Sequence, residues 1–121
     1  MQGRRVDRIE EQLRMELSEI IERDIHDPRI GLVSVTNVKV SPDLSHARVF
    51  ISMLGGEADR KRALQGLKSA AGFARRELGR RLHHLRRVPD LVFSYDESVE
   101  KDIRFEELLN QIKTEPPTDA S

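Results

Sequence analysis

An apolar stripe at three- and four-residue steps opens the chain. Val6, Ile9, Leu13, Leu17, Ile20 and Ile21 recur at helical spacing, with Arg8, Glu11, Glu16, Glu19 and Glu22 off the stripe. That pattern predicts an amphipathic helix over about residues 4–24. Asp27-Pro28 must end it, because the residue before a proline is pushed out of the helical region. Residues 32–40 are rich in β-branched side chains. Val33 and Val35 share one parity and Val38 and Val40 the other, so the strand should carry a bulge near Thr36-Asn37. Ser41-Pro42-Asp43 is turn chemistry. Ala47, Val49, Ile51 and Met53 then alternate with Arg48, Phe50 and Ser52, a half-buried strand that completes a hairpin ended by Gly55-Gly56.

Helical spacing returns over about residues 57–85, carried by Leu64, Leu67, Ala71, Ala74, Leu78, Leu82 and Leu85. Gly72 and Gly79 interrupt it. Gly72 follows Ser69-Ala70-Ala71, small residues where a kink costs little and backbone can approach backbone. Two helices with a break at Gly72 are therefore expected. Val88-Pro89-Asp90 ends the second, and Leu91, Phe93 and Tyr95 alternate with Val92 and Ser94 in a third strand. Residues 103–112 read as a short closing helix. Residues 113–121 read as a polar, proline-containing disordered tail, so residues 1–112 form one domain. The order is α-β-β-α-kink-α-β, an α+β fold with a three-stranded sheet and helices on one face. The helical connection before the third strand is long enough for a parallel crossover, so the sheet is free to be mixed.

Composition narrows the function. A chain of 121 residues, 37% apolar and 35% charged, makes one domain with a thin core. The absence of cysteine excludes disulfides, thiol catalysis and cysteine zinc sites, and fits a reducing compartment. No apolar run approaches the ~20 residues of a membrane span. Met1-Gln2-Gly3-Arg4-Arg5 lacks an apolar signal core, so a cytoplasmic protein is expected.

The net charge of zero argues against a nucleic-acid binder, but its distribution reverses the argument. Residues 60–87 hold ten basic side chains and one acidic, Glu77, a net +9, whereas residues 88–121 carry −6. A solvated helix face mixes signs for intrahelical pairing, and this segment does not. On a helical wheel Arg76, Arg80, His83/His84 and Arg87 form an outward row. Guanidinium forks in a row match phosphate oxygens. The expected RNA-binding set is Lys68, Arg75, Arg76, Arg80, Arg81, His84, Arg86 and Arg87. Phe93 and Tyr95 read as core, so backbone and shape readout is favoured over stacked bases. The four histidines form no metal signature. Asp96, Glu97, Glu100 and Asp102 lack the spacing of a calcium loop and read as a solvated acidic turn. No nucleophile–base pair, phosphate-cradling loop or dinucleotide fingerprint is present, so no enzyme, cofactor or small-molecule substrate is expected.

Several ordered stretches resemble the ribosome-binding factor A family of bacterial small-subunit maturation factors. They are Asp27-Pro28-Arg29, Gly31-Leu32-Val33, Val40-Ser41-Pro42-Asp43-Leu44-Ser45-His46-Ala47, Ala70-Ala71-Gly72-Phe73, Arg76-Glu77-Leu78-Gly79, Arg86-Arg87-Val88-Pro89-Asp90-Leu91 and Asp96-Glu97-Ser98. The resemblance spans about residues 4–109. It implies a type II KH-like fold in which Ala70-Ala71-Gly72 marks a helix kink in place of the GXXG loop. The resemblance thereby implies binding through side-chain arginines in place of the backbone clamp of KH domains. Where the family commonly has glycine this chain has Asp102, which tolerates a left-handed turn. The implied partners are the 30S subunit and its 16S rRNA, bound by a monomer. The implied role is late rRNA maturation, including 5′-end processing, with support of growth in the cold and no catalysis. Three competing readings remain: a general single-stranded RNA or mRNA regulator, a metal-dependent nuclease at Asp96–Asp102, and an adaptor whose basic helix meets an acidic protein.

Overall fold

A computed structural model describes residues 2–98, with side chains from residue 4 onward. The expected helix at 103–112, the tail at 113–121, and Glu100 and Asp102 lie outside the described residues. Helix α1 (Gln2–Glu19) continues into a π-helical turn, Ile20–Asp24. The wider turn closes with Ile25 N–H donating to Ile20 O at 3.1 Å. Across it both Ile20 and Ile21 are buried, although the two are adjacent in sequence. Strands β1 (Val33–Val40) and β2 (His46–Met53) form the antiparallel hairpin, and β3 (Asp90–Tyr95) joins β2 in parallel after helix α2 (Glu57–Arg81). The sheet is mixed, in the order β1-β2-β3.

The expected bulge is present. The β1–β2 register shifts between Val35 and Asn37, leaving Thr36 as the extra residue, whose hydroxyl donates to Asp96 Oδ2 at 2.5 Å and lies 3.3 Å from Phe50 O. The bulge resets parity, so Val35 and Val38 both reach the core. There they meet Ala47, Val49 and Ile51 from β2 and Leu91 from β3. Leu13, Leu17 and Ile20 cover them from the α1 side, and Leu67, Ala74, Leu78 and Leu82 from the α2 side. This is one apolar layer between the helices and one sheet face.

Helix α2 starts where Asp59 accepts the Gly56 N–H at 3.1 Å, with Glu57 and Asp59 in its first turn and Arg80 and Arg81 in its last, each matched to the helix dipole. It differs from the expectation in two ways. First, it is one helix through Ala70-Ala71-Gly72, not two. A Cβ at Gly72 would meet only Arg76 Nη1 at 3.6 Å, so no neighbouring backbone forces a break there. A lone glycine among good helix formers costs the helix only about 1 kcal/mol. The close approach lies one helical stretch earlier, at buried Gly66. A Cβ there would lie 2.8 Å from Ile30 Cγ1 and 3.3 Å from Arg29 Cβ. Second, α2 stops at Arg81. Leu82 takes φ −115°, ψ 52° while its side chain stays in the core. Residues 83–87 therefore form a turn and do not extend the helical row.

Candidate nucleic-acid interface

The three walls of a cleft are built from distant parts of the chain. α1 is tied to the end of β1 by the Glu10 carboxylate, which accepts the Val40 N–H at 2.8 Å. The turn between β1 and β2 is organised by Asp43. Its Oδ1 accepts from Ser41 Oγ at 2.8 Å, from Ser45 N–H at 3.1 Å and from Ser45 Oγ at 2.7 Å. The turn is joined to the start of β3 by Asp90 N–H donating to Ser45 O at 2.9 Å. Arg75 fixes the segment before β3, donating to Val88 O at 2.9 Å and pairing with Asp90 at 3.3 Å.

Between these walls lies a cleft of about 830 Å³. It is lined by Arg4, Arg5, Arg8, Ile9 and Gln12 from α1, Asp43 and Leu44 from the β1–β2 turn, and His84, Leu85, Arg86 and Arg87 from the turn after α2. Every one of the five arginines is exposed. A concave, low-dielectric wall with cations of one sign focuses the field and attracts anions. Asp43 is the lone acid among them. Its hydrogen bonds, led by the Ser45 hydroxyl, hold its pKa down at about 2.

The expected RNA-binding residues separate into three groups. His84, Arg86 and Arg87 line the cleft. Lys68, Arg76 and Arg80 are exposed along the outer face of α2, beside Gly72, with Arg80 bonded to Glu77 at 2.8 Å. Arg75 and Arg81 are engaged within the fold. Arg81 bonds Glu16 at 3.1 Å, Glu19 at 3.1 Å and Asp24 at 2.8 Å, which pins the end of α2 to α1 and its π turn. Its side chain is 24% exposed, against 77% for neighbouring Arg80.

Sequence reasoning did not place Arg4, Arg5, Arg8 and Gln12 in the site. The available signal was the trio of arginines in the first turns of the chain, with Asp7 as the acid between them. Ala70 and Ala71 lie inside α2 and are half-buried. Phe93 and Tyr95 face the helices on the core side of β3, and the Arg60 guanidinium sits 4.1 Å from the Tyr95 ring centre, so neither forms an open stacking platform. Among the described residues, no three acidic or histidine side chains are placed to hold a metal ion, and no helix is long and apolar enough to cross a membrane.

The family model for ribosome-binding factor A matches residues 5–109. Ribosome-binding factor A of Brevibacillus brevis is 44% identical over 115 residues, covering 95% of this chain and 94% of that one. The Halothermothrix orenii protein of the same name is 44% identical over 119 residues, covering 98% and 97%. Among solved structures, the crystal structure of ribosome-binding factor A from Thermus thermophilus superposes with a TM-score of 0.67 at 32% identity, over 74% of this chain and 93% of that one. A homology model of the Thermus thermophilus factor, fitted into a cryo-EM map of its 30S complex, superposes with a TM-score of 0.58 at 32% identity, over 72% of this chain and 90% of that one.

Proposed function

This chain belongs to the ribosome-binding factor A family, and we propose that it binds free or immature 30S subunits through 16S rRNA, without catalysis, and assists late rRNA maturation including processing of the 5′ end. The observation that carries the reading is the cleft, where α1 and the turn after α2 bring five arginines and His84 together on one concave surface. Arginine forks bind phosphate oxygens whatever the base, so this surface supplies affinity for folded RNA. The fitted 30S complex of the Thermus thermophilus relative supports the same partner. The mechanism is conformational: the factor binds one rRNA arrangement better than another and shifts the population toward it. Equal affinity for immature and mature subunits would remove that mechanism.

The test is co-sedimentation with purified small subunits. The chain should pellet with subunits and leave a bulk mRNA fraction in the supernatant, which separates this role from that of a general mRNA regulator. Contacts to about 4–6 phosphates give a log–log salt slope of roughly −3 to −5. Arg8→Gln combined with Arg87→Gln should weaken binding about tenfold or more and flatten the slope by one to two units. A salt-independent interaction, or one indifferent to both arginines, would rule the cleft out.

A further inference from the structure

The cleft holds one group that a phosphate-binding surface has no use for. Asp43 sits among the arginines, and a carboxylate repels the backbone phosphates that they attract. It is not free to swing away, because Ser41 and Ser45 place three hydrogen bonds on Oδ1. Oδ2 carries none of those three bonds. The group remains an anion, and so only an acceptor, throughout the neutral range. Beside it Leu44 has φ +61°, a left-handed conformation that leucine rarely adopts. That backbone brings the Leu44 side chain to the cleft, where it joins buried Ile9 and half-buried Leu85. The cleft thus has an apolar floor, a cationic rim and one fixed acceptor.

We propose that this cleft seats one unpaired nucleobase of an RNA strand, its face on Leu44, Ile9 and Leu85 and its exocyclic amine donated to Asp43. The inference rests on the RNA-binding reading above and sharpens it. Neighbouring phosphates lie on the arginine rim. A base inside a duplex cannot be seated this way, because its faces are stacked and its pairing edge is taken. Adenine, cytosine and guanine each offer an amine to a carboxylate. Uracil offers none, and its imino N–H lies between two carbonyl oxygens that repel the carboxylate. A surface that bound only backbone would not distinguish the bases.

Binding of end-labelled hexamers of adenylate, cytidylate and uridylate to the full chain, read by fluorescence anisotropy at one salt concentration, tests this. The adenylate and cytidylate hexamers should bind about tenfold tighter than the uridylate hexamer. Asp43→Asn keeps an anchoring oxygen but turns the other acceptor into a donor, so the gap should close to about twofold or less. Ser45→Ala loosens the anchor and keeps the carboxylate. It should lower the melting temperature and leave the order of preference intact. Equal binding of the three hexamers to the unaltered chain overturns the proposal. So does an unchanged gap in Asp43→Asn, or no binding to any hexamer. If the hexamers fail while Arg8→Gln with Arg87→Gln still releases the chain from small subunits, base reading falls and subunit binding through the cleft stands. If the unaltered chain does not pellet with subunits at all, the functional reading falls as well.

Discussion

At the scale of single residues, two aspartates hold turns that frame the molecule. Asp27 accepts the Arg29 N–H at 2.9 Å on Oδ1 and the Arg29 guanidinium at 2.7 Å on Oδ2, which closes the Asp-Pro-Arg turn after α1. Asp43 organises the β1–β2 turn in the same way through two serines. The Arg29 side-chain bond holds the Asp27 pKa down to about 2, and the Ser45 hydroxyl bond does the same for Asp43. Both folded values lie below the ordinary 3.8. A depressed carboxyl contributes stability that is present above its unfolded pKa and is lost as pH falls through the folded value. The melting temperature should therefore be nearly level from pH 7 to pH 5 and fall between about pH 4 and pH 2. Asp27→Asn should start lower at pH 7 and fall less across the acid window. A variant whose acid limb has the wild-type depth would show that Asp27 is not linked to folding. Both turns are exposed enough for water to screen these interactions, so the effect is modest.

At the scale of elements, the two glycines of α2 give opposite expectations. Gly66→Ala pushes a methyl into Ile30 and Arg29, so it should lower the free energy of unfolding by about 1–3 kcal/mol. Gly72→Ala meets only the tip of a flexible arginine, so it should raise that free energy by about 0.5–1 kcal/mol through helix propensity. Urea unfolding midpoints of the two variants check this, and a destabilised Gly72→Ala would restore the idea of a required break at that position. The contrast shows what local pattern can carry. α1, the hairpin and the Thr36 bulge were legible because apolar spacing sets which face a side chain reaches. The importance of Gly66 was not, because it depends on what lies across from it, the turn at residues 27–30 brought near by α1 and the sheet. The early end of α2 was hidden for a related reason. Leu82 and Leu85 continue the apolar spacing, but Leu82 reaches the core from outside helical geometry.

At the scale of the whole molecule, charge counted along the chain and charge gathered in space give different sites. The segment 60–87 is the most basic stretch of the sequence, yet Arg60, Arg75 and Arg81 within it serve the fold. Arg81 is surrounded by Glu16, Glu19 and Asp24, three of the acids that make the first thirty residues net negative. Those acids offset cationic charge at the end of α2 while Arg4, Arg5 and Arg8 extend the cleft from the far end of α1. No sequence window contains both Arg4 and Arg87, so the cleft could be seen only after folding. The two kinds of arginine should separate cleanly in experiment. Arg81→Gln removes the cation shared by three carboxylates, of which Glu19 keeps a second partner in Arg23 at 3.8 Å, and should lower stability by about 1–2 kcal/mol. It should leave small-subunit binding near the wild-type level at temperatures where the variant is folded. Arg87→Gln should do the reverse, with unfolding within about 0.5 kcal/mol of wild type and binding weakened severalfold. Urea unfolding and subunit co-sedimentation on the same preparations read both quantities. A folded Arg81→Gln variant that no longer pelleted with subunits would mean that the basic block acts as one surface after all, and that the binding face runs along α2 and past the cleft.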